Sequence, residues 1–167
     1  MRSEMDGSTA PWQERRASRR EGRLELRMIF PSDQMAVRTA LGSALSGLRY
    51  LELTEDEGGT VELVLAEAMN NVVEHAYADT SGVIELRVAN CADGLFCEVL
   101  DDGAGMEGLP AGNVPSGDLP PSLDDMPEGG FGWFLIRSLA RDLRYTREDG
   151  RNRLSFRIEL ADPVRTH

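Results

Sequence analysis

The sequence predicts an α+β fold, and three observations carry that expectation. Apolar residues at Val61, Val64, Leu65, Ala68, Met69, Val72, Val73 and Ala76 recur at helical spacing along the stretch Val61 to Tyr77. Val83 to Cys91 and Leu95 to Leu100 are rich in Val, Leu, Ile and Phe and meet at Asp93-Gly94, which makes them an antiparallel pair. Leu143 to Thr146 and Leu154 to Leu160 form a second pair around the turn Asp149-Gly150-Arg151-Asn152.

Taken in order, residues 1–22 have no hydrophobic period and are rich in Arg, Ser and Gly, so they are expected to be a flexible extension. Leu24, Leu26, Met28 and Phe30 alternate with Glu25, Arg27 and Ile29, the pattern of a half-buried strand that ends at Pro31. Ser32 is expected to cap a helix from about Asp33 to Leu48, whose apolar positions include Val37, Ala40, Leu41, Ala44 and Leu45. Thr54 and Glu57 have the spacing of a capping box for the long helix, although Gly58-Gly59 could delay its regular start to Thr60. Asp79-Thr80-Ser81-Gly82 stops that helix. Residues 107–128 hold five prolines and read as one long loop, of a length usual for lids and binding loops. An apolar helix (Trp133, Phe134, Leu135, Ile136, Leu139, Ala140) follows.

At 167 residues and 41% apolar content the chain suits one domain around one core. Its net charge of -11 argues against nucleic acid or an anionic membrane as the main partner, since phosphate binding needs a positive surface. All 18 basic residues are arginine. The absence of lysine excludes a phosphate loop of the G-x-x-x-x-G-K-[ST] kind, a kinase strand lysine and Schiff-base chemistry. An Asp93-Gly94 turn would place Cys91 opposite Phe96 and Cys97 opposite Asn90, with the sulfurs on opposite faces and unpaired. No apolar run approaches a membrane helix, and a cytoplasmic location is expected.

Three features bear chemistry. Glu67, Asn70, Asn71 and Glu74 form a polar stripe on the long helix, and two adjacent asparagines are poor choices for a merely solvated face. Asp101-Asp102-Gly103-Ala104-Gly105-Met106 follows a strand, with glycines that permit positive φ and close backbone approach to a ligand. Glu128-Gly129-Gly130-Phe131-Gly132 opens a helix, where free N–H groups and the dipole favour an anion.

In this order the three resemble the GHKL ATPase superfamily, and within it the bacterial anti-sigma factor serine/threonine kinases. Their string S-E-A-x-x-N-x-x-x-H-A-Y is similar to Ala66-Glu67-Ala68-Met69-Asn70-Asn71-Val72-Val73-Glu74-His75-Ala76-Tyr77, and E-x-G-x-G-L-x-L-I is similar to Glu128 through Ile136. The resemblance implies a two-layer α/β sandwich: a mixed, mostly antiparallel sheet with helices on one face, spanning residues 23–161, with residues 107–128 as the ATP lid and 162–167 as a tail. It implies ATP and Mg²⁺ as cofactors. Glu67 would be the general base and Asn71 the magnesium ligand. Asp101 would accept the adenine amino proton, while Gly103, Gly105 and Met106 wall the purine. Gly130, Phe131, Gly132 and Trp133 would hinge the lid at the phosphates. His75 either lies near the phosphates or is an ordinary hydrogen-bonded helix histidine. The implied partners are an anti-anti-sigma (STAS) protein as substrate, a sigma factor and a second copy of the chain. Asn70, Trp133 and a lid with five acids and no Arg or Lys depart from the pattern. They keep open the alternative of a nucleotide-dependent binding module without kinase activity. A self-sufficient histidine kinase is disfavoured, because the two histidines are His75 and His167 and neither lies on a preceding dimerisation helix.

Overall fold

The computed structural model describes residues 14–20, 23–106, 112–113 and 131–161. Strands β1 (Glu14–Arg20) and β2 (Arg23–Pro31) lead into helix α1 (Gln34–Gly47), a 3₁₀ turn (Arg49–Leu51) and helix α2 (Glu55–Asn71). A π-helical turn (Val72–Ala76) extends α2. The hairpin β3 (Val83–Cys91) and β4 (Gly94–Asp101), the two-residue β5 (Gly112–Asn113), helix α3 (Phe131–Leu139) and the hairpin β6 (Arg141–Glu148) and β7 (Arg151–Glu159) complete the chain. The strands form one sheet in the order β1-β2-β3-β4-β7-β6-β5, and every pairing is antiparallel. No helix among the described residues is long and apolar enough to cross a membrane.

Alternation puts the core on one face of this sheet. A row of side chains, Met28, Leu86, Val99, Leu154 and Tyr145, runs across β2, β3, β4, β7 and β6 in register, each member buried. Against it pack Val61, Val64, Leu65, Ala68 and Met69 of α2 and Val37, Ala40 and Ala44 of α1. These are the positions that helical periodicity selects. Leu65 and Met69 are fully buried, so truncating either to alanine would cost about 2–5 kcal/mol. The capping box forms as expected: Thr54 Oγ1 accepts from Glu57 N at 3.2 Å and Glu57 Oε1 from Thr54 N at 3.3 Å. With Glu55, Asp56 and Glu57 favouring the positive end of the dipole, α2 begins at Glu55 and Gly58-Gly59 cause no delay.

Three expectations need correction. The extension over residues 1–22 contains a strand, since Glu14–Arg20 pairs with β2 through its whole length. Ladder hydrogen bonds need no apolar alternation, and a charged strand suits the edge of a sheet. The α1 cap is Asp33, whose Oδ1 accepts from Ala36 N at 2.8 Å. Ser32 instead ties the end of β2 to the start of β3, donating its N–H to Gly82 O and accepting from Gly82 N. The β3–β4 hairpin turns at Ala92-Asp93, with Cys91 opposite Gly94, and Gly94 lies so close to β7 that a Cβ there would strike the Ile158 carbonyl. The cysteines still fall on opposite faces, Cys97 buried and Cys91 half-buried, and both are free. The expected lid lies outside the described residues except for Gly112–Asn113, which pair with Tyr145 and Arg144. The tail 162–167 lies outside them as well.

Candidate functional site

The polar stripe of α2 divides between two neighbours. Adjacent residues on a helix stand about 100° apart, so Asn70 and Asn71 cannot share a groove. Asn70 and Glu74, with Gln34, Met35, Arg38 and Leu41, line a groove of about 440 Å³ between α1 and α2. Glu67 and Asn71 instead face the first turn of α3. A Cβ on Gly132 would collide with Glu67 Oε2 and lie 3.6 Å from Asn71 Oδ1, so the α3 backbone comes close to both and a larger residue would displace the Glu67 carboxylate. The single line of four polar groups expected from spacing is therefore a pair on each side.

Asn71 is 4% exposed, and its Nδ2 has no hydrogen-bond partner among the described residues. A buried amide left unpaired costs about 1–3 kcal/mol, and such a group inside a well-packed core asks for a reason. Beside it stand the half-buried Glu67 carboxylate and the N-terminus of α3, where N–H groups lack helical partners. The three together offer an amide, a carboxylate and oriented dipoles in one place. The amide oxygen and the carboxylate suit a hard cation, while the unpaired Nδ2 and the helix N–H groups suit the phosphate oxygens that would share it.

The second half of the site is built around Asp101, the last residue of β4. It is 4% exposed and faces the helices. Its Oδ1 accepts from Gly103 N at 2.9 Å and from Asn152 Nδ2 at 2.7 Å. No bond to Oδ2 joins these among the described residues. Burial pushes the Asp101 carboxyl above the ordinary aspartate value; the bonds from Asn152 and Gly103 and the Arg147 charge hold it back, while Asp102 adds to the rise.

The glycines after Asp101 serve a purpose other than the expected positive φ. Among the described glycines only Gly94 and Gly150 have it. Gly103 is needed because a Cβ would strike the Ala76 carbonyl, while a Cβ at Gly105 would sit tight against Arg147 Cδ at 3.1 Å. The π turn brings the helix end to this loop: Tyr77 N donates to Val72 O five residues back, and Ala76 O accepts from Ala104 N at 2.8 Å. Tyr77 locks the same junction, its hydroxyl donating to Val83 O at 2.8 Å and accepting from Asp102 N at 3.0 Å. One continuous element, α2 with its π turn, thus lines both halves of the site.

Of the remaining expected residues, Met106 is half-buried against the core and donates its N–H to Tyr145 Oη at 3.0 Å. Trp133 is half-buried against the core too. His75 lies exposed in the π turn, without a hydrogen bond to any described residue. Phe131 is the first residue of α3, and Gly130 lies outside the described residues. The periodic reading missed Tyr77, Tyr145, Arg147 and Asn152. Asn152 left a signal, since it shares the parity of Leu154, Phe156 and Ile158 and so puts a polar side chain where alternation calls for an apolar one.

Comparison with known proteins agrees with this arrangement. Residues 30–158 match the histidine kinase-like ATPase domain. The chain is 26% identical over 132 residues to the anti-sigma F factor of Clostridium acetobutylicum, covering 78% of this chain and 88% of that protein. It is 34% identical over 103 residues to the serine/threonine-protein kinase BtrW of Bordetella bronchiseptica, covering 61% and 70%. With the serine-protein kinase RsbW of Bacillus subtilis the identity is 29% over 117 residues, covering 68% and 71%. The chain belongs to the histidine kinase-like ATPase domain family, on the branch of the bacterial anti-sigma serine/threonine kinases.

Proposed function

We propose that this chain binds ATP with Mg²⁺ and transfers the γ-phosphate to a serine or threonine of an anti-anti-sigma (STAS) partner, and that it acts as an anti-sigma factor whose hold on its sigma factor depends on that partner's phosphorylation. The observation that carries the reading is the buried Asn71 amide, whose nitrogen has no partner among the described residues, beside Glu67 and under the glycine of α3. Asn71 would hold the metal; when bound, Mg²⁺ neutralises phosphate charge and orients the triphosphate. Glu67 accepts the hydroxyl proton of the acceptor side chain as its oxygen attacks phosphorus. The N–H groups of the first turn of α3 lie toward the phosphates, and Gly132 keeps the space clear. Asp101 accepts a hydrogen bond from the adenine amino group, with the Gly103–Met106 loop as the wall of the base.

Incubation with γ-labelled ATP and a STAS protein encoded beside this chain tests the proposal: label on a partner serine or threonine supports it. Nucleotide binding without label transfer would favour the second reading, a nucleotide-dependent regulatory module, which the cation-free sequence of residues 107–128 favours. The kinase reading, through the resemblance, also includes a homodimer, which light scattering with and without nucleotide tests. A monomer at all concentrations would count against it.

A further inference from the structure

Asn152 of β7 is 2% exposed, and its side chain is saturated with hydrogen bonds. Nδ2 donates to Asp101 Oδ1 at 2.7 Å, to Ala104 O at 2.9 Å and to Gly103 O at 3.3 Å. Oδ1 accepts from Tyr145 Oη at 2.8 Å and from Arg147 Nη1 at 2.7 Å. The direction of every bond is forced. A guanidinium can only donate, so Arg147 fixes the amide oxygen on this side, and the Tyr145 hydroxyl, which accepts from Met106 N, gives its proton to that oxygen. The amide oxygen must face these two donors, and a flipped amide would set its NH₂ against them. The NH₂ is thereby turned to Asp101, whose Oδ1 can only accept.

We infer that Asn152 is a positioning residue that keeps Asp101 an acceptor, and that through Asp101 it makes the pocket take a 6-amino purine and refuse a 6-oxo purine. The inference rests on the proposed placement of adenine at Asp101. A 6-oxo purine presents an acceptor where adenine presents a donor, and would need a protonated Asp101 to meet it. The groups that face Asp101 are Asp102 just after β4, Tyr77 at the end of the helix, and Arg147 and Tyr145 on β6. Asp102 raises the carboxyl and Arg147 lowers it, while the Asn152 bond is the largest influence opposing burial. Without that bond protonation becomes easier, and selection weakens as pH falls.

The test measures affinity for ADP and inosine diphosphate by titration calorimetry at pH 6, 7 and 8, on the full chain. Wild type should prefer ADP at each pH. Asn152→Leu, close in volume but without donors, should lose about tenfold in ADP affinity at pH 6, with less lost at pH 8, and its preference for ADP over inosine diphosphate should narrow as pH falls. Asn152→Thr keeps one donor and should recover most of the preference. Tyr145→Phe removes the hydroxyl that helps orient the amide, together with the acceptor of Met106 N, so it should weaken both purines somewhat and shift the ratio in the same direction by less, which keeps the test open if Asn152→Leu folds poorly. Unchanged selectivity and pH profile in Asn152→Leu and Tyr145→Phe would overturn the inference, as would an equal loss for both purines at every pH. Carboxyl NMR of Asp101 in nucleotide-free protein separates the two claims. A titration midpoint that fails to rise in Asn152→Leu overturns the inference itself. A raised midpoint in a protein whose wild type binds neither nucleotide rejects the proposed purine site, and the selection falls with it.

Discussion

Two buried carboxylates stand on neighbouring rungs of the β3–β4 ladder and point to opposite faces. Ile84 pairs with Asp101 and Glu85 with Leu100, so one rung and one face separate the acids. Glu85 lies on the face without helices and is still only 5% exposed, because arginines fold over it. Arg27 and Arg87 reach its Oε1 at 2.6 and 2.7 Å, and Arg151 its Oε2 at 2.6 Å. Burial pushes the Glu85 carboxyl up, but the hydrogen bonds and charges of Arg27 and Arg87 outweigh it and leave it below the ordinary glutamate value. Asp101 has neutral donors on one oxygen, and its carboxyl lies above the ordinary range. The contrast teaches how to tell a carboxylate that holds the sheet from one kept for a ligand. Glu85 has both oxygens in ion pairs and nothing left to offer. Asp101 is buried at a net cost and has an oxygen to spare.

The largest expected effect brings in a third carboxylate. Glu67→Gln should lower phosphotransfer to the partner by about 10²–10⁴ while ADP affinity changes little, as single-turnover assays and calorimetry would show. Unchanged transfer, or an abolished ADP affinity, would place Glu67 on the wrong side of the contrast. Next in size is Glu85→Gln, which leaves three arginines around a neutral amide. Allowing for their partial exposure, it should cost about 1–3 kcal/mol and lower the melting temperature by several degrees, with nucleotide affinity unchanged. The smallest effect is in the pH dependence of melting. Glu85 has a depressed pKa, so its contribution is present above the glutamate value of the unfolded chain and is lost as pH falls through its folded value. Asp101 has a raised pKa, so its contribution is present below the unfolded aspartate value and is lost as pH rises through the folded one. Glu85→Gln should therefore flatten the acid limb of a melting curve taken against pH. Asp101→Asn should instead raise the melting temperature slightly at neutral pH.

The contrast also marks what was legible in the sequence. Helical period, capping box and paired strands were, because each is a local pattern with a local cause. Glu67, Asn71 and Asp101 stood out because polar groups sat where helix face or strand end made them costly. The split of the α2 stripe was not visible, because it depends on α3 arriving from more than sixty residues later in the chain to cover Asn71 and leave Asn70 to α1. The same holds for Glu85, whose arginines come from β2, β3 and β7. β1 escaped notice because its pairing is made by backbone, which composition does not report.

Titration calorimetry of ADP in the presence of Mg²⁺ on wild type, Asp101→Asn and Glu85→Gln tests the central claim most directly. The account expects Asp101→Asn to bind roughly 5- to 150-fold more weakly, the cost of about 1–3 kcal/mol for mismatching a buried polar pair, and Glu85→Gln to bind as wild type does. Asp101→Asn binding with wild-type affinity, or Glu85→Gln losing as much as Asp101→Asn, would contradict it.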